Sequence, residues 1–318
     1  MEDQSSVSTS SIPENPIPSR FVIEYSPASQ FGILVGMAFV GMIIGNVLAL
    51  VPILLKGISL TGLAAAMTDP ANVSMIRWMQ VIGTFFTFLF PVWIFQKIVR
   101  PPKDFLHVRT KSSKETWILV VLIAFASLPV TDLFGSFNQW IPLPARLAKL
   151  FHGLENAYND QIMLLMQMKG IPDLIISLVL VALLPAIFEE TFFRGAFQNV
   201  IVKWFKRPYL AILVTSIIFS AIHMSYYGFL PRAFLGVLLG CVYYWTKDLK
   251  LNILIHFLNN AISVVTFYVL SSKNQLTQEK MNESMPWYYQ IIGVFVFSFL
   301  ATLLYKYVQK QNTNTTQI

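Results

Sequence analysis

The feature that most constrains the fold of this chain is a long apolar run that contains two adjacent glutamates. The run covers residues 174–197, reads LIISLVLVALLPAIFEETFFRGAF, and includes Glu189, Glu190 and Arg194. About 20 apolar residues let a helix cross a bilayer, and a carboxylate at that depth costs roughly 2.5–3.5 kcal/mol on insertion scales. Because such residues are rarely kept for packing alone, the run predicts a transmembrane helix that carries a functional site.

The composition extends this interpretation to the whole chain. The 318 residues are 55% hydrophobic and 12% charged, with a mean hydropathy of +0.59, whereas about a quarter of the residues of a soluble domain are charged. A membrane barrel would show short alternating segments, but the apolar runs here are long and continuous. The predicted fold class is therefore all-α, a polytopic membrane helical bundle that encloses a polar cavity.

About eight transmembrane helices are expected. Their predicted ranges are 31–55, 75–98, 116–136, 172–200, 209–227, 230–246, 251–271 and 287–307. Together they form a single bundle over residues 31–308, between a disordered cytoplasmic tail at 1–30 and a short polar tail at 309–318. The first 20 residues are polar and lack the apolar core of a signal peptide.

The net charge of +7 does not indicate nucleic acid binding, because the basic residues cluster in short loops between the predicted spans. That distribution is the positive-inside signal, and it predicts that both termini are cytoplasmic. The polar N-terminal tail and the compact length favour the inner (plasma) membrane of a bacterium.

Residues 144–168 differ from the spans, because apolar residues recur there at helical spacing among charged ones. We predict one or two amphipathic helices on the outer membrane surface. Such a segment could serve as a connector or as a lid over a substrate entrance.

The two glutamates are expected to have different roles. Glu190 and Arg194 are four residues apart, so they share a helix face and can neutralise each other. Glu189 points about 100° away and is left to face something else. An unpaired carboxylate in apolar surroundings suits a general base near neutral pH. The Glu190–Arg194 pair is expected to support the helix packing.

Two later apolar segments each supply a histidine. His223 follows Phe219 by one helical turn in FSAIHMS, and His256 precedes Asn260 by one turn in HFLNN. His223 is either a core histidine or shares a water with Glu189, directly or through a metal. His256 and Asn260 either hold the oxygen of a carbonyl as it becomes negative, or His256 binds a metal while Asn260 orients a water. Asn259 is expected to point elsewhere and to bond between helices.

A base, a polarising histidine and a pair of oxyanion donors together indicate attack of an activated water on a carbonyl. In a membrane that carbonyl usually belongs to a peptide bond, so the predicted function is an intramembrane endopeptidase. One alternative is a non-catalytic membrane scaffold or immunity protein of the same fold. A proton-coupled transporter is a second alternative, but the hydropathy shows no repeat of the kind many transporters have.

The three motifs EExxxR, FxxxH and HxxxN, in that order over residues 170–270, resemble those of the CPBP (Abi) family of CAAX prenyl endopeptidases and bacteriocin-processing proteins. The resemblance implies that Glu189 and His223 activate a water, that His256 and Asn260 stabilise the oxyanion, and that Glu190 and Arg194 support the site. It implies a membrane-associated peptide or protein as substrate, with or without a lipid group. Bacterial relatives are linked to bacteriocin maturation and self-immunity.

The resemblance leaves the cofactor open. One divalent ion such as zinc could be held by Glu189, His223 and His256, and a metal-free glutamate mechanism is equally compatible with these residues. The predicted span limits also put the three motifs at different depths. They meet only if the fourth span runs towards residue 204 and the fifth is tilted or starts inside the cytoplasm. In that case the cavity is expected between the cytoplasmic face and the membrane midplane.

Overall fold

The computed structural model describes residues 24–108, 110–166, 168–281 and 283–316, and within these ranges the chain is helical without any strand. The main helices are α1 Pro27–Leu55, α2 Pro70–Val99, α3 Lys114–Trp140, α4 Ala145–Leu165, α5 Ile171–Phe205, α6 Pro208–Ala221, α7 Phe229–Thr246, α8 Leu249–Ser272 and α9 Trp287–Thr316. The predicted all-α membrane bundle is therefore confirmed.

The number of full-length spans differs from the prediction. Seven helices in the described ranges are long and apolar enough to cross a membrane. The predicted span 209–227 instead forms α6, which has 14 residues and ends at Ala221. At 1.5 Å per residue α6 is about 21 Å long, shorter than the roughly 30 Å hydrocarbon core. Residues 222–228 leave helical geometry, and Met224 has a φ of 53°.

The predicted tails are only partly described. Residues 1–23 of the predicted tail 1–30 lie outside the described residues. The first helix begins at Pro27, where the Ser26 hydroxyl accepts a hydrogen bond from the backbone N–H of Ser29 at 3.1 Å. At the other end, the predicted polar tail 309–318 continues α9 to Thr316, and residues 317–318 lie outside the described part.

Helix α5 lies at the centre of the bundle and contacts α1, α2, α6, α7 and α8, while α3 packs along α9 and α7. It has 35 residues and is about 52 Å long. Glu189 lies near its middle, in the α-helical turn Leu184–Glu190. Wider π-helical turns flank that turn at Leu178–Leu183 and Thr191–Gln198, and such turns are frequent at functional sites.

Two glycines let α7 lie against α6. A Cβ atom added at Gly236 would lie 2.9 Å from Ser216 Cβ and 3.0 Å from Ser216 Cα, and one added at Gly240 would lie 2.6 Å from Ile212 Cγ2. Small residues permit close helix approach in membranes, where van der Waals packing drives association. The pair of glycines therefore fixes the spacing between α6 and α7.

The connector between α2 and α3, the 101–113 connector, determines where α8 begins. Asp248 is fully buried, and its carboxylate accepts hydrogen bonds from Lys250 N at 3.1 Å and from Ser112 Oγ at 2.9 Å. The backbone N–H of Leu249 donates to the carbonyl of His107 at 3.2 Å. Because His107 and Ser112 contact this turn, α8 starts inside the bundle, and its second turn carries His256 to the depth of Glu189. The depth difference expected from the span limits is thereby removed.

The predicted amphipathic segment forms one helix, α4, which continues through Gly153. Its C-terminal end is anchored by Arg77 of α2, whose Nη2 donates to the carbonyl of Leu165 at 2.7 Å. Both groups are buried, so the helix is fixed against the bundle and its inner face reaches the cavity described below.

Candidate active site

A cavity of about 630 Å³ opens between α2, α3, α4, α5, α7 and α8. Its wall includes the predicted site residues Glu189, His223, His256 and Asn260. The cavity extends from these residues to α4 and to the loop before α9, at the end of the bundle opposite the 101–113 connector. The expectation that it is confined to the half nearest the basic loops was wrong, because α8 begins inside the bundle.

Glu190 is the centre of a buried polar network. Its Oε1 accepts hydrogen bonds from Arg194 Nη1 at 2.7 Å and from His256 Nδ1 at 2.9 Å. Arg194 Nη2 also donates to the carbonyl of Gly236 on α7 at 3.1 Å. Glu190 and Arg194 are both fully buried. The contact between Glu190 and Arg194 that the four-residue spacing predicts is present. The bonds to Gly236 and His256 also join α5 to α7 and α8.

Glu189 faces the cavity. Its side chain is 10% exposed, and its Oε2 atom has no hydrogen-bond partner in the described part of the chain. The nearest basic group is His256 Nε2, 4.0 Å from Oε2. The two neighbouring glutamates therefore differ. The carboxylate of Glu190 is hydrogen-bonded within the core, whereas the carboxylate of Glu189 is free to act on a ligand.

His223 lies just beyond the end of α6. Its Nδ1 donates to the carbonyl of Phe219 at 2.7 Å, while its backbone N–H turns to the carbonyl of Ser220 at 3.3 Å. The side chain thus replaces the backbone donor that would have continued the helix, which is why the predicted span ends early. Because a carbonyl can only accept, a neutral His223 ring leaves Nε2 as an acceptor.

Phe219 joins these groups through its ring. The ring meets His223 and His256 edge-on, with centroids 5.1 Å and 5.9 Å away, and the Arg194 guanidinium carbon lies 4.7 Å from its centroid. Phe219 is 1% exposed. The apolar ring of Phe219 therefore separates the Arg194 guanidinium from the imidazoles of His223 and His256, and it restricts the orientation of both imidazoles.

Asn260 lines the cavity one turn after His256, and its amide has no hydrogen-bond partner in the described ranges. Asn259 lines the same cavity, so the expectation that it points elsewhere was wrong. Adjacent helix positions differ by about 100°, and the cavity is wide enough to meet both. Of the two, only Asn260 lies one helical turn from His256.

The residues fit a metal ion in type but not in arrangement. Both histidines donate Nδ1–H to an oxygen and leave Nε2 free, which is the outer-shell pattern of metal-binding imidazoles. However, no group of three or more histidine, cysteine, aspartate or glutamate side chains in the described ranges is close enough together to hold an ion. Binding by Glu189, His223 and His256 stays a prediction, and no step below depends on it.

Several cavity residues were missed by sequence reasoning. Among them are Glu155 and Tyr158 of α4, Ser225 of the 222–228 segment, and Arg232 of α7. Arg232 carries the same signal as Glu189, since it is a charged residue within an apolar run, here residues 229–246. The residues of α4 have no such signal, because charged residues are ordinary on an amphipathic helix.

Comparison with known proteins agrees with the motif resemblance. Residues 171–262 match the family model described as Type II CAAX prenyl endopeptidase Rce1-like. The chain is 27% identical over 198 residues to the Membrane-embedded CAAX protease MroQ of Staphylococcus aureus (strain USA300), a match covering 61% of this chain and 74% of that protein. The chain is also 34% identical over 92 residues to an Escherichia coli protein named Uncharacterized 24.3 kDa protein. This match covers 28% of this chain and 42% of the Escherichia coli protein.

No solved structure matches the chain. The family model covers all three motifs, and the distant Staphylococcus aureus relative extends the similarity beyond them. Over residues 171–262 the chain is therefore similar to the CAAX prenyl endopeptidases, in agreement with the resemblance to the CPBP (Abi) family.

Proposed function

We propose that this membrane protein is an endopeptidase that hydrolyses a peptide bond with a water activated by Glu189 and His223. The observation that carries the proposal is the unpartnered Glu189 Oε2, 4.0 Å from His256 Nε2, in a cavity that also contains His223 and Asn260. A packing role accounts for Glu190 and Arg194, which are bonded to each other. It does not account for a second buried carboxylate left without a partner.

The chemistry follows from these positions. Glu189 takes a proton from the water, and the oxygen of the water adds to the carbonyl carbon. His223 keeps that water oriented through Nε2, since its Nδ1 is already bonded to Phe219. The tetrahedral intermediate then collapses, and the protonated Glu189 returns its proton to the departing amine. The balance is one water consumed and one peptide bond broken.

Asn260 and His256 are proposed to stabilise the oxyanion of that intermediate. Asn260 can donate through its side-chain amide. Because His256 Nδ1 already donates to Glu190, its Nε2 donates to an oxyanion only when the ring carries both protons.

We propose a membrane-associated peptide or protein as substrate, and an orientation in which both termini are cytoplasmic, supported by the basic loops. The position of the cavity supports the lid role for α4, because the inner face of this helix forms part of the cavity wall. A substrate would then enter past α4.

The test compares cells that express the wild-type chain with cells that express Glu189→Gln. Peptide termini in the membrane fraction are mapped by mass spectrometry, and candidate sites are then cleaved by the purified protein in detergent. New termini that depend on Glu189 support the proposal. Identical termini in both strains, with both proteins folded, would instead favour the non-catalytic scaffold, which needs only the Glu190–Arg194 pair.

A further inference from the structure

Arg232 is a cation within an apolar helix, and the activity proposed above does not use it. It lies in the first turn of α7 and lines the same cavity as Glu189 and His223. An arginine at membrane depth is costly and is normally paired or functional. Its partners therefore indicate its purpose.

The guanidinium of Arg232 has few hydrogen-bond acceptors within the described part of the protein. Nη2 donates to the Tyr158 hydroxyl at 3.3 Å, and the guanidinium carbon lies 5.5 Å from the centroid of that ring. Nη1 is buried and has no hydrogen-bond partner in the described part of the chain. Within the same ranges Arg232 forms no ion pair, unlike Arg194 with Glu190.

Two of the other acids that line the cavity, Glu155 and Asp132, have partners of their own. Glu155 Oε2 accepts from the Ser225 hydroxyl at 2.9 Å. Asp132 Oδ2 accepts from Gln290 Nε2 at 2.7 Å and from the backbone N–H of Met285 at 2.9 Å. Arg232, which lines the same cavity, therefore keeps guanidinium donors that no acceptor in the described part of the chain uses.

The position of the Arg232 guanidinium depends on the absence of a side chain at Gly228. A Cβ atom added at Gly228 would clash with Arg232 Nη1 and would lie 2.8 Å from Ser225 Oγ. The glycine thus leaves room for Arg232 to lie against the 222–228 segment, which also carries His223. Tyr158 holds the other side of the guanidinium, so the arginine is clamped between α4 and this segment.

We propose that Arg232 binds a carboxylate of the substrate, either a free C-terminus or an acidic side chain, and so selects peptides that carry one close to the bond that is cut. An arginine guanidinium presents parallel N–H donors that match the two oxygens of a carboxylate. This inference rests on the proposed endopeptidase function, since both groups would bind one peptide in one cavity.

The test measures binding separately from cleavage. The Glu189→Gln protein is immobilised in detergent and exposed to pools of N-acylated random hexapeptides, one pool ending in a free acid and one in an amide, with retention measured by mass spectrometry. We expect retention of the acid pool to exceed that of the amide pool by about tenfold or more, as for a hydrogen bond to a charged group. Adding Arg232→Gln should reduce this ratio to near one.

Two further variants serve as controls. Arg146→Gln removes the same charge from an exposed position on α4 and should leave the ratio high. Arg232→Lys keeps the charge but loses the paired donors, so it should give an intermediate ratio, and it replaces Arg232→Gln if that variant does not fold. Enrichment of amides that contain glutamate over matched glutamine peptides would identify a side chain as the source of the carboxylate.

The two proposals fail in different ways. Equal retention of acids, amides and glutamate-containing amides, or retention of none of them, overturns the role of Arg232. Cleavage is measured on the same pools with Glu189 restored. Selective retention without any cleavage would contradict the endopeptidase function and support the carboxylate site. Cleavage without selective retention would support the endopeptidase function and contradict the carboxylate site.

Discussion

His256 Nδ1 donates a hydrogen bond to Glu190 Oε1 at 2.9 Å, so the glutamate that faces the core determines how the histidine faces the cavity. The bond fixes the ring orientation and directs Nε2 towards Glu189, 4.0 Å away. Glu190 is itself held by Arg194. A single chain of charge-assisted bonds therefore connects α5 to the imidazole of α8, and the two adjacent glutamates act on opposite sides of the same ring.

The first prediction separates the two glutamates. Glu189→Gln should lower the cleavage rate by about 10²–10⁴-fold, as for loss of a general base, with little change in melting temperature because no internal bond is lost. Glu190→Gln should reduce the free energy of unfolding by about 3–5 kcal/mol, because Arg194 is left buried without a counter-charge. Cleavage assays and thermal unfolding in detergent measure both effects. Equal losses of stability in the two variants would contradict the assignment.

The second prediction concerns the contact between α6 and α7. Gly236→Ala should destabilise the protein by about 1–3 kcal/mol, the usual cost of overpacking, because the new Cβ meets Ser216 at 2.9 Å. The matched control is Gly153→Ala on α4, where nothing lies within 4 Å. There alanine should add about 0.5–1 kcal/mol of helix stability. Chemical unfolding in mixed micelles compares them, and a stable Gly236→Ala would argue against the close approach.

The third prediction tests the oxyanion donors. Asn260→Ala should lower kcat by about 10²–10³-fold, as removal of one such donor does, and should lower kcat/KM by the same factor, since the bond forms only in the transition state. Asn259→Ala serves as the control, because it lines the same cavity without the one-turn spacing to His256. Steady-state kinetics on one peptide decides the matter. A rise in KM alone for Asn260→Ala would make it a substrate-binding residue.

The fourth prediction addresses the metal. We expect cleavage to survive prolonged EDTA treatment, because the proposed activation of water by Glu189 and His223 uses no metal ion. Activity and metal content are measured before and after treatment, with untreated protein carried through the same dialysis. Loss of activity that zinc restores would show that Glu189, His223 and His256 rearrange around an ion when substrate binds.

Much of the fold could be predicted because apolar run length depends only on local sequence. The ends of most helices follow from such runs. The spacing of Glu190 and Arg194 predicts their contact for the same reason, since both lie on one helix. The shortness of α6 could not be predicted in this way. Residues 209–227 are apolar enough for a span, but the side chain of His223 takes the Phe219 carbonyl and ends the helix.

The sequence alone determined that this is a helical membrane protein with carboxylates, imidazoles and amides within its spans, because hydropathy and helical periodicity are properties of neighbouring residues. Only the tertiary structure decided which of them meet. The bond between Glu190 and His256, the bond between Leu249 and His107, and the position of Arg232 at the cavity join residues far apart in the chain. Such contacts depend on how whole helices pack, which no local pattern specifies.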